Sequence, residues 1–193
     1  MLSYLFPDPR DRSGQRHRAP GILVLAILAT LSGAKGYKDI SVWVNTVSEA
    51  MLNNLWLKRA PSVSTFRRFL MGLDATLVDN LISEWLLENI DLCGQKIALD
   101  GKVLRGSYDG TVPTVKLVAA VVVPRGIVIA QRRIPETTNE IPVVQAMIAA
   151  LPIERKNVTV TGDALHSQVQ TSQIVFDKKA DSIFILKGNQ PTY

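Results

Sequence analysis

The stretch "IALDGKVLRG", from Ile97 to Gly106, decides the fold. A short apolar run ends on an acid, Asp100, and is followed at once by a glycine and by two spaced cations, Lys102 and Arg105. A run of this length that ends at a turn-forming pair is typical of a buried strand. One acid alone supports little chemistry, so its meaning depends on what the fold brings beside it.

The second half of the chain alternates strand-like and helix-like segments. Valine- and isoleucine-rich runs predict three strands, and a turn at "PRG" joins the last two of them into a hairpin. A helix capped by Thr138 or Asn139 follows, and then come a strand, a helix and a strand. This order predicts a mixed sheet that is antiparallel in its first hairpin and parallel later through helical crossovers, with helices on its faces.

A second predicted strand also ends on an acid. In "VTVTGDALHSQ", Asp163 follows a strand that can lie beside the strand of Asp100. Two close carboxylates resist joint ionisation unless a cation lies between them. Mg²⁺ favours such a site, because it takes one or two carboxylates together with waters and phosphate oxygens. Two such ions about 3.5 to 4 Å apart would promote displacement at phosphorus.

Other interpretations of these residues stay open on spacing alone. Asp100 and Gly101 form a common turn pair, and Asp163 could simply cap the next helix. His166 could orient water or a phosphate, or be structural. The cations Lys102 and Arg105 could contact DNA phosphates or only water.

The first half, from about residue 21 to 91, predicts several short helices. One helix begins after Asp74 with a broad apolar stripe. In "PSVSTFRRFL", Ser62 or Ser64 can cap a short helix whose phenylalanines face inward while Arg67 and Arg68 point outward. Such a helix suits a helix-turn-helix docked on DNA, or equally a solvated face of a small bundle. The change of texture places the domain boundary between residues 92 and 93.

Composition adds weaker indications. The net charge of +5 and the pI near 9.5 favour a polyanionic partner. With the boundary at 92, the first half carries 10 basic and 9 acidic side chains and the second half 12 and 8. A single cysteine, Cys93, which we expect to be buried, indicates a reducing compartment. The run "GILVLAILATLSGA" is too short to span a bilayer, so we expect a buried helix of a cytoplasmic protein.

Four motifs carry a family resemblance. "IALDGKVLRGS", "TNEIP", "VTGDALHSQ" and "FILKGNQPT" occur in this order. They resemble the core of the H-repeat-associated insertion-sequence transposases, a DDE family with an RNase H-like catalytic domain. "DPRDRSGQRHRAPGILVLAILATLSGAKGYKDISVWV" and "PSVSTFRRFL" resemble the helical domain that precedes this core. The resemblance therefore implies domains at 1–92 and 93–193, and a fold class of small helical domain followed by an incomplete RNase H-like mixed sheet.

The resemblance also implies roles for individual residues. Asp100 and Asp163 correspond to the first and second catalytic acids, each a ligand of Mg²⁺, with Mn²⁺ as an alternative. Glu140 matches a residue of the "TNEIP" motif, but its position before the first crossover helix does not favour it as the third acid. The family's third acid, a glutamate on a later helix, has no counterpart before Tyr193, so we expect a truncated chain with weak or absent catalysis. Residues expected to contact DNA are Arg67, Arg68, Lys102, Arg105, Lys187 and Asn189.

The predicted function is that of a DDE transposase or its remnant, which would break and join DNA phosphodiesters during transposition of an insertion sequence. Its partners would be the element ends and target DNA, together with another copy of itself or an intact transposase, in the bacterial cytoplasm at the nucleoid. The alternative is a catalytically inactive DNA-binding fragment that occupies element ends or inhibits intact transposase. A poorly folding fragment is a third interpretation.

Overall fold

The computed structural model describes residues 8–104, 107, 110 and 114–186. The chain divides into two compact units, Met1–Asp74 and Ala75–Tyr193. This division lies before the sequence-based boundary at 92, and the helix that begins after Asp74 contacts a strand of the sheet.

Assigning the helix after Asp74 to the second unit changes how the charge divides between the two units. The helix and the loop after it carry four acidic residues and no basic ones. The first unit therefore has 10 basic and 5 acidic side chains, net +5, and the second has 12 and 12, net zero. The sequence-based boundary had placed most of the surplus in the second half. The division of the structure places all of it in the first unit.

The first unit is helical. Its elements are a 3₁₀ turn at Arg12–Gly14, α1 (Ala19–Leu31), α2 (Tyr37–Val44), α3 (Glu49–Asn54) and α4 (Val63–Gly72). Its core is a single apolar cluster, and the members that solvent barely reaches are Ile22, Leu25, Ala29, Val44, Leu57, Phe66 and Phe69. Burial of these side chains, at roughly 1.5–3 kcal/mol each, is the main contribution that stabilises the short helices.

Helix α4 follows the sequence prediction closely. Ser62 caps it, because its Oγ accepts a hydrogen bond from the Thr65 N–H at 3.3 Å. Phe66 and Phe69 are fully buried, whereas Arg67 and Arg68 are exposed. Helix α1 is largely buried, as expected. Among the described residues, no helix combines the length and apolar character needed to cross a membrane.

The second unit is a five-stranded mixed sheet with helices. Its elements are α5 (Ala75–Asn89), β1 (Lys96–Val103), β2 (Lys116–Val123), β3 (Ile127–Arg133), α6 (Glu140–Ala150), β4 (Thr159–Gly162), a 3₁₀ turn at Ala164–His166, α7 (Val169–Asp177) and β5 (Asp181–Phe184). The strand order is β3-β2-β1-β4-β5, with β1, β2 and β3 antiparallel and with β4 parallel to both β1 and β5. The predicted fold class of helices followed by a mixed sheet with flanking helices is confirmed.

Alternation along β1 sets the orientation of its acid. Ile97 and Leu99 are buried in the core of the second unit, while Asp100 is exposed. Helix α5 contacts β3, α6 contacts β2 and β3, and α7 contacts α6 and β5. One expectation was wrong, because Cys93 is exposed rather than buried.

Candidate active site

The two candidate acids occur on neighbouring strands of the sheet. The parallel ladder between β1 and β4 pairs Lys96 with Thr159 and Ala98 with Thr161, and Asp100 and Asp163 each come two residues after this last pair. Asp163 directly follows β4, whereas β1 continues past Asp100 to Val103. Partners in a parallel register direct their side chains to the same face of the sheet.

Asp100 forms a surface ion pair with a neighbouring cation. Its Oδ2 lies 3.1 Å from Lys102 Nζ, and the two side chains are 50% and 69% exposed. Exposed pairs of this kind contribute about 0–1 kcal/mol. A divalent cation could therefore displace the ammonium group at little cost.

Asp163 caps the 3₁₀ turn that follows it, as one of the sequence interpretations allowed. Its Oδ1 accepts a hydrogen bond from the Leu165 N–H at 2.9 Å, and the side chain is 68% exposed. An ionised carboxylate offers about four lone-pair positions. Capping and metal ligation are therefore compatible at this residue.

A buried histidine joins Asp163 to a third carboxylate. His166 is 1% exposed, and its Nε2 lies 3.0 Å from Glu140 Oε1 and 3.8 Å from Asp163 Oδ1. Glu140 is the first residue of α6, and its side chain is 21% exposed. Asn139 fixes this end of the helix, since its Oδ1 accepts from the Ile141 N–H at 3.1 Å.

Glycine at position 101 makes room for this carboxylate on β1. A Cβ at Gly101 would lie 2.6 Å from Glu140 Oε2 and 2.7 Å from Glu140 Cδ. Glu140 therefore lies against the residue that follows Asp100. The sequence analysis did not favour Glu140, and the Asp-Gly pair was taken as a turn signal. The glycine was the available clue, because glycine within a strand often marks the close approach of another group.

The donor set fits a hard divalent cation held with few protein ligands. Carboxylate oxygens at an exposed sheet edge leave room for the waters and phosphate oxygens that complete an Mg²⁺ shell. Among the described residues, no group of three or more His, Cys, Asp or Glu side chains is arranged as a ready-made metal cage. This part of the sheet therefore resembles an open site, in which protein carboxylates and substrate oxygens both bind the cation.

The predicted DNA-contacting residues fall into separate groups. Lys102 lies beside Asp100 in the second unit, and Arg67 and Arg68 are exposed on α4 of the first unit. Arg105, Lys187 and Asn189 lie outside the described residues. The structure thus brings together Asp100, Asp163 and Lys102, and adds Glu140 and His166 to them.

Comparison with known proteins adds a family. Residues 5–86 match the family described as DDE_Tnp_1-associated, a match that extends beyond the first unit into α5. "Putative transposase YncI" of Escherichia coli O157:H7 is 28% identical over 98% of this chain and 50% of its own length. The strain K12 protein of the same name is also 28% identical, with 78% of its length covered. "H repeat-associated putative transposase YbfD" of strain K12 is 26% identical over 96% of this chain and 74% of its own length.

The chain thus spans about half the length of some curated relatives that it matches. Among solved structures, the piggyBac transposase synaptic complex with hairpin DNA is 14% identical over 94% of this chain and 43% of that chain, with a TM-score of 0.47. The Mos1 strand transfer complex is 12% identical over 95% of this chain and 60% of that chain, with a TM-score of 0.37. These overlaps are too low to support an argument about the site.

Proposed function

We propose that this chain, which resembles the H repeat-associated transposases, takes part in transposition of an insertion sequence by breaking and joining DNA phosphodiesters. The observation that supports this proposal is the parallel pairing of β1 with β4, because Asp100 lies on the first of these strands and Asp163 directly follows the second. Two carboxylates at a solvent-open sheet edge match the ligand preferences of Mg²⁺.

In this proposal Asp100 and Asp163 hold the divalent cation, Mg²⁺ or Mn²⁺. When bound there, the cation supplies activation of the attacking oxygen and stabilisation of the leaving oxygen at phosphorus. If a cation were bound at Asp100, the Lys102 ammonium, which now pairs with Asp100, could contact a DNA phosphate. Asp163 keeps its hydrogen bond to the Leu165 N–H, so its carboxylate stays oriented.

Glu140 and His166 act as a positioning pair. The buried imidazole of His166 contacts both Glu140 and Asp163, so it fixes the distance between α6 and the end of β4. Glu140 in turn lies against Gly101, next to Asp100. Through these contacts the pair positions the backbone of β1 beside Asp100 and the end of β4 beside Asp163.

DNA contact is proposed for the exposed cations. Lys102 is beside the acids, and Arg67 and Arg68 are presented by the capped helix α4. Arg105, Lys187 and Asn189 are proposed on the family motifs alone. In this scheme the helical region supplies most DNA affinity, and the sheet region supplies the chemistry, consistent with net charges of +5 and zero in the two compact units.

A second candidate function is supported by the same charge distribution. A protein with its whole positive surplus in one helical unit could occupy element ends without cutting them, and so inhibit an intact transposase. This candidate requires DNA affinity but no cation. The two candidates therefore differ in their dependence on Asp100 and Asp163.

The test measures cation binding and cleavage separately. Mn²⁺ binding to the 193-residue chain is followed by electron paramagnetic resonance, and strand nicking and strand transfer are assayed on insertion-sequence ends with the chain and a full-length relative. We expect Asp100→Asn and Asp163→Asn each to weaken Mn²⁺ binding by about tenfold or more. Asp177→Asn, which removes an exposed acid on α7, is the matched control.

The outcomes separate the candidates. Mn²⁺ affinity and nicking that are unchanged in both aspartate variants would contradict the assigned roles. Tight binding of element ends in EDTA, without nicking under any divalent cation in either protein, would favour the second candidate.

A further inference from the structure

The first unit contains a cationic cavity that the proposed chemistry does not use. Its volume is about 620 Å³, and it opens beside the N-terminal end of α4. Its lining includes three arginines, a histidine and neighbouring hydroxyl groups, namely Arg16, His17, Arg59, Ser62, Ser64, Thr65 and Arg68. None of the described residues that line it is acidic.

The three arginines of the cavity are not neutralised. Within the described part of the chain, no carboxylate lies within the 4.0 Å ion-pair distance of Arg16, Arg59 or Arg68. Two arginines nearby in the sequence have other contacts. Arg10 forms an ion pair with Asp8 at 2.7 Å, and Arg18 lies over the Trp56 ring at 5.8 Å. The cavity therefore concentrates uncompensated positive charge.

Hydroxyl groups and the start of a helix line the opposite wall. Ser62 Oγ lies 3.0 Å from both Ser64 Oγ and Thr65 Oγ1, and Ser62 caps the ten-residue helix α4. Arg68 is held in place because its Nε donates to the Ser64 carbonyl oxygen at 3.3 Å. Hydroxyl donors and the positive end of a helix dipole both favour an anion.

A buried histidine lies beside these arginines. His17 is only 8% exposed, and it belongs to the lining of the cavity. Burial first, and then the charges of Arg59, Arg10 and Arg16, lowers the pKa of His17. The last three contributions come from the positive charge around the cavity.

We propose that this cavity binds a phosphate group, and that the phosphate belongs to the DNA backbone. Arginine suits this ligand, because its planar guanidinium can donate two parallel hydrogen bonds to phosphate oxygens. The DNA assignment rests on the proposed function, whereas the assignment of a phosphate site rests on the cavity itself. The proposal adds Arg16, Arg59 and His17, which the motifs did not indicate, to the DNA-contacting residues. They join Arg68, which the sequence already predicted.

The experiment uses the full chain in EDTA, so that the acids at the sheet edge do not contribute. Binding of a fluorescent DNA duplex is measured by anisotropy at several salt concentrations for Arg59→Gln, Arg68→Gln and Lys58→Gln. Lys58 is the matched control, because it carries the same charge next to Arg59, is exposed and does not line the cavity. We expect the two arginine variants to bind about three- to tenfold more weakly, with the salt slope reduced by about one.

A second arm uses inorganic phosphate alone as the probe. Phosphate should raise the Tm of the original chain and of Lys58→Gln, and this increase should be smaller in Arg59→Gln and Arg68→Gln. Arginine variants that bind DNA as Lys58→Gln does would overturn the DNA assignment, even if phosphate still protects the fold. Equal protection by phosphate in all variants would overturn the site itself. Either failure is distinct from failure of the proposed catalysis, which depends on Asp100 and Asp163 and requires a cation.

Discussion

The two histidines of the chain are both buried, yet they lie in opposite electrostatic surroundings. His17, in the helical unit, lines a cavity with three unpaired arginines. His166, in the sheet unit, contacts the carboxylates of Glu140 and Asp163. One imidazole is surrounded by cations and the other by acids.

This difference shows how one side-chain type serves two tasks. The surroundings of His17 have excess positive charge and lack an anion, while those of His166 have excess negative charge and can accept a cation. The net charges of +5 and zero in the two units follow the same division. Breaking a DNA backbone requires both properties, because the polyanion must be held and the charge at the reacting phosphate must be offset.

The largest expected effect distinguishes the two histidines directly. His166→Ala should lower the free energy of unfolding by about 2–4 kcal/mol, because it leaves a cavity and also leaves the half-buried Glu140 without its partner. His17→Ala should cost about 1 kcal/mol less, because Nδ1 is unsatisfied in both histidines but only His166 leaves a carboxylate without its partner. Urea denaturation followed by circular dichroism measures both. Equal losses would mean that the carboxylate contacts of His166 contribute little.

The second effect concerns the close approach at β1. Gly101→Ala should destabilise the chain by about 1–3 kcal/mol and weaken Mn²⁺ binding, because the new Cβ would lie 2.6 Å from Glu140 Oε2. Gly36→Ala is the control, since a Cβ there meets nothing within 4 Å. Urea denaturation measures the loss of stability, and electron paramagnetic resonance measures Mn²⁺ binding.

A double variant sharpens this test. Glu140→Ala in the Gly101→Ala background should recover part of the lost stability, because the clash is removed with the carboxylate. Purely additive losses would show that the strain at Gly101 has another source.

Several features of this comparison could be read from the sequence. The apolar run before Asp100 predicted a strand, although β1 continues past the acid to Val103, and the capping serine before α4 was identified by local chemistry. The adjacency of the two strands that precede or carry Asp100 and Asp163 was also predicted from strand order. Such features depend on neighbours within a few residues, or on a rule of topology, so spacing is enough to find them.

Other features depend on contacts between distant segments, which spacing does not encode. Glu140 meets Gly101 only because α6 begins beside the end of β1. The phosphate cavity draws Arg16, Arg59 and Arg68 from three separate segments. The partner of α5 is another such feature, because an apolar stripe fits a sheet as well as a bundle.

A smaller effect compares the helix caps of the two regions. Ser62→Ala and Asn139→Ala should each cost about 1 kcal/mol, because each removes the acceptor for an N–H in the first turn of its helix. Only Asn139→Ala should also weaken Mn²⁺ binding, since it loosens the turn that carries Glu140. Ser32→Ala, which changes an exposed serine, is the control, whereas the buried Ser167 is unsuitable. A loss of Mn²⁺ affinity in Ser62→Ala would contradict the assignment of the cation site to the sheet unit.

The smallest effect is a pH dependence that belongs to His17. Burial, then the charges of Arg59, Arg10 and Arg16, lowers the pKa of His17 below the ordinary value of 6.5. As pH falls through 6.5, the unfolded chain therefore binds more protons than the folded chain, and unfolding is favoured. The stability linked to this residue is complete above pH 6.5 and is lost as pH falls through the lowered pKa. Tm measured against pH should decline more steeply for the original chain than for His17→Gln, by about 2 °C over this window. Parallel profiles would mean that the arginines do not act on this imidazole, and the charge contrast between the two histidines would lose its basis.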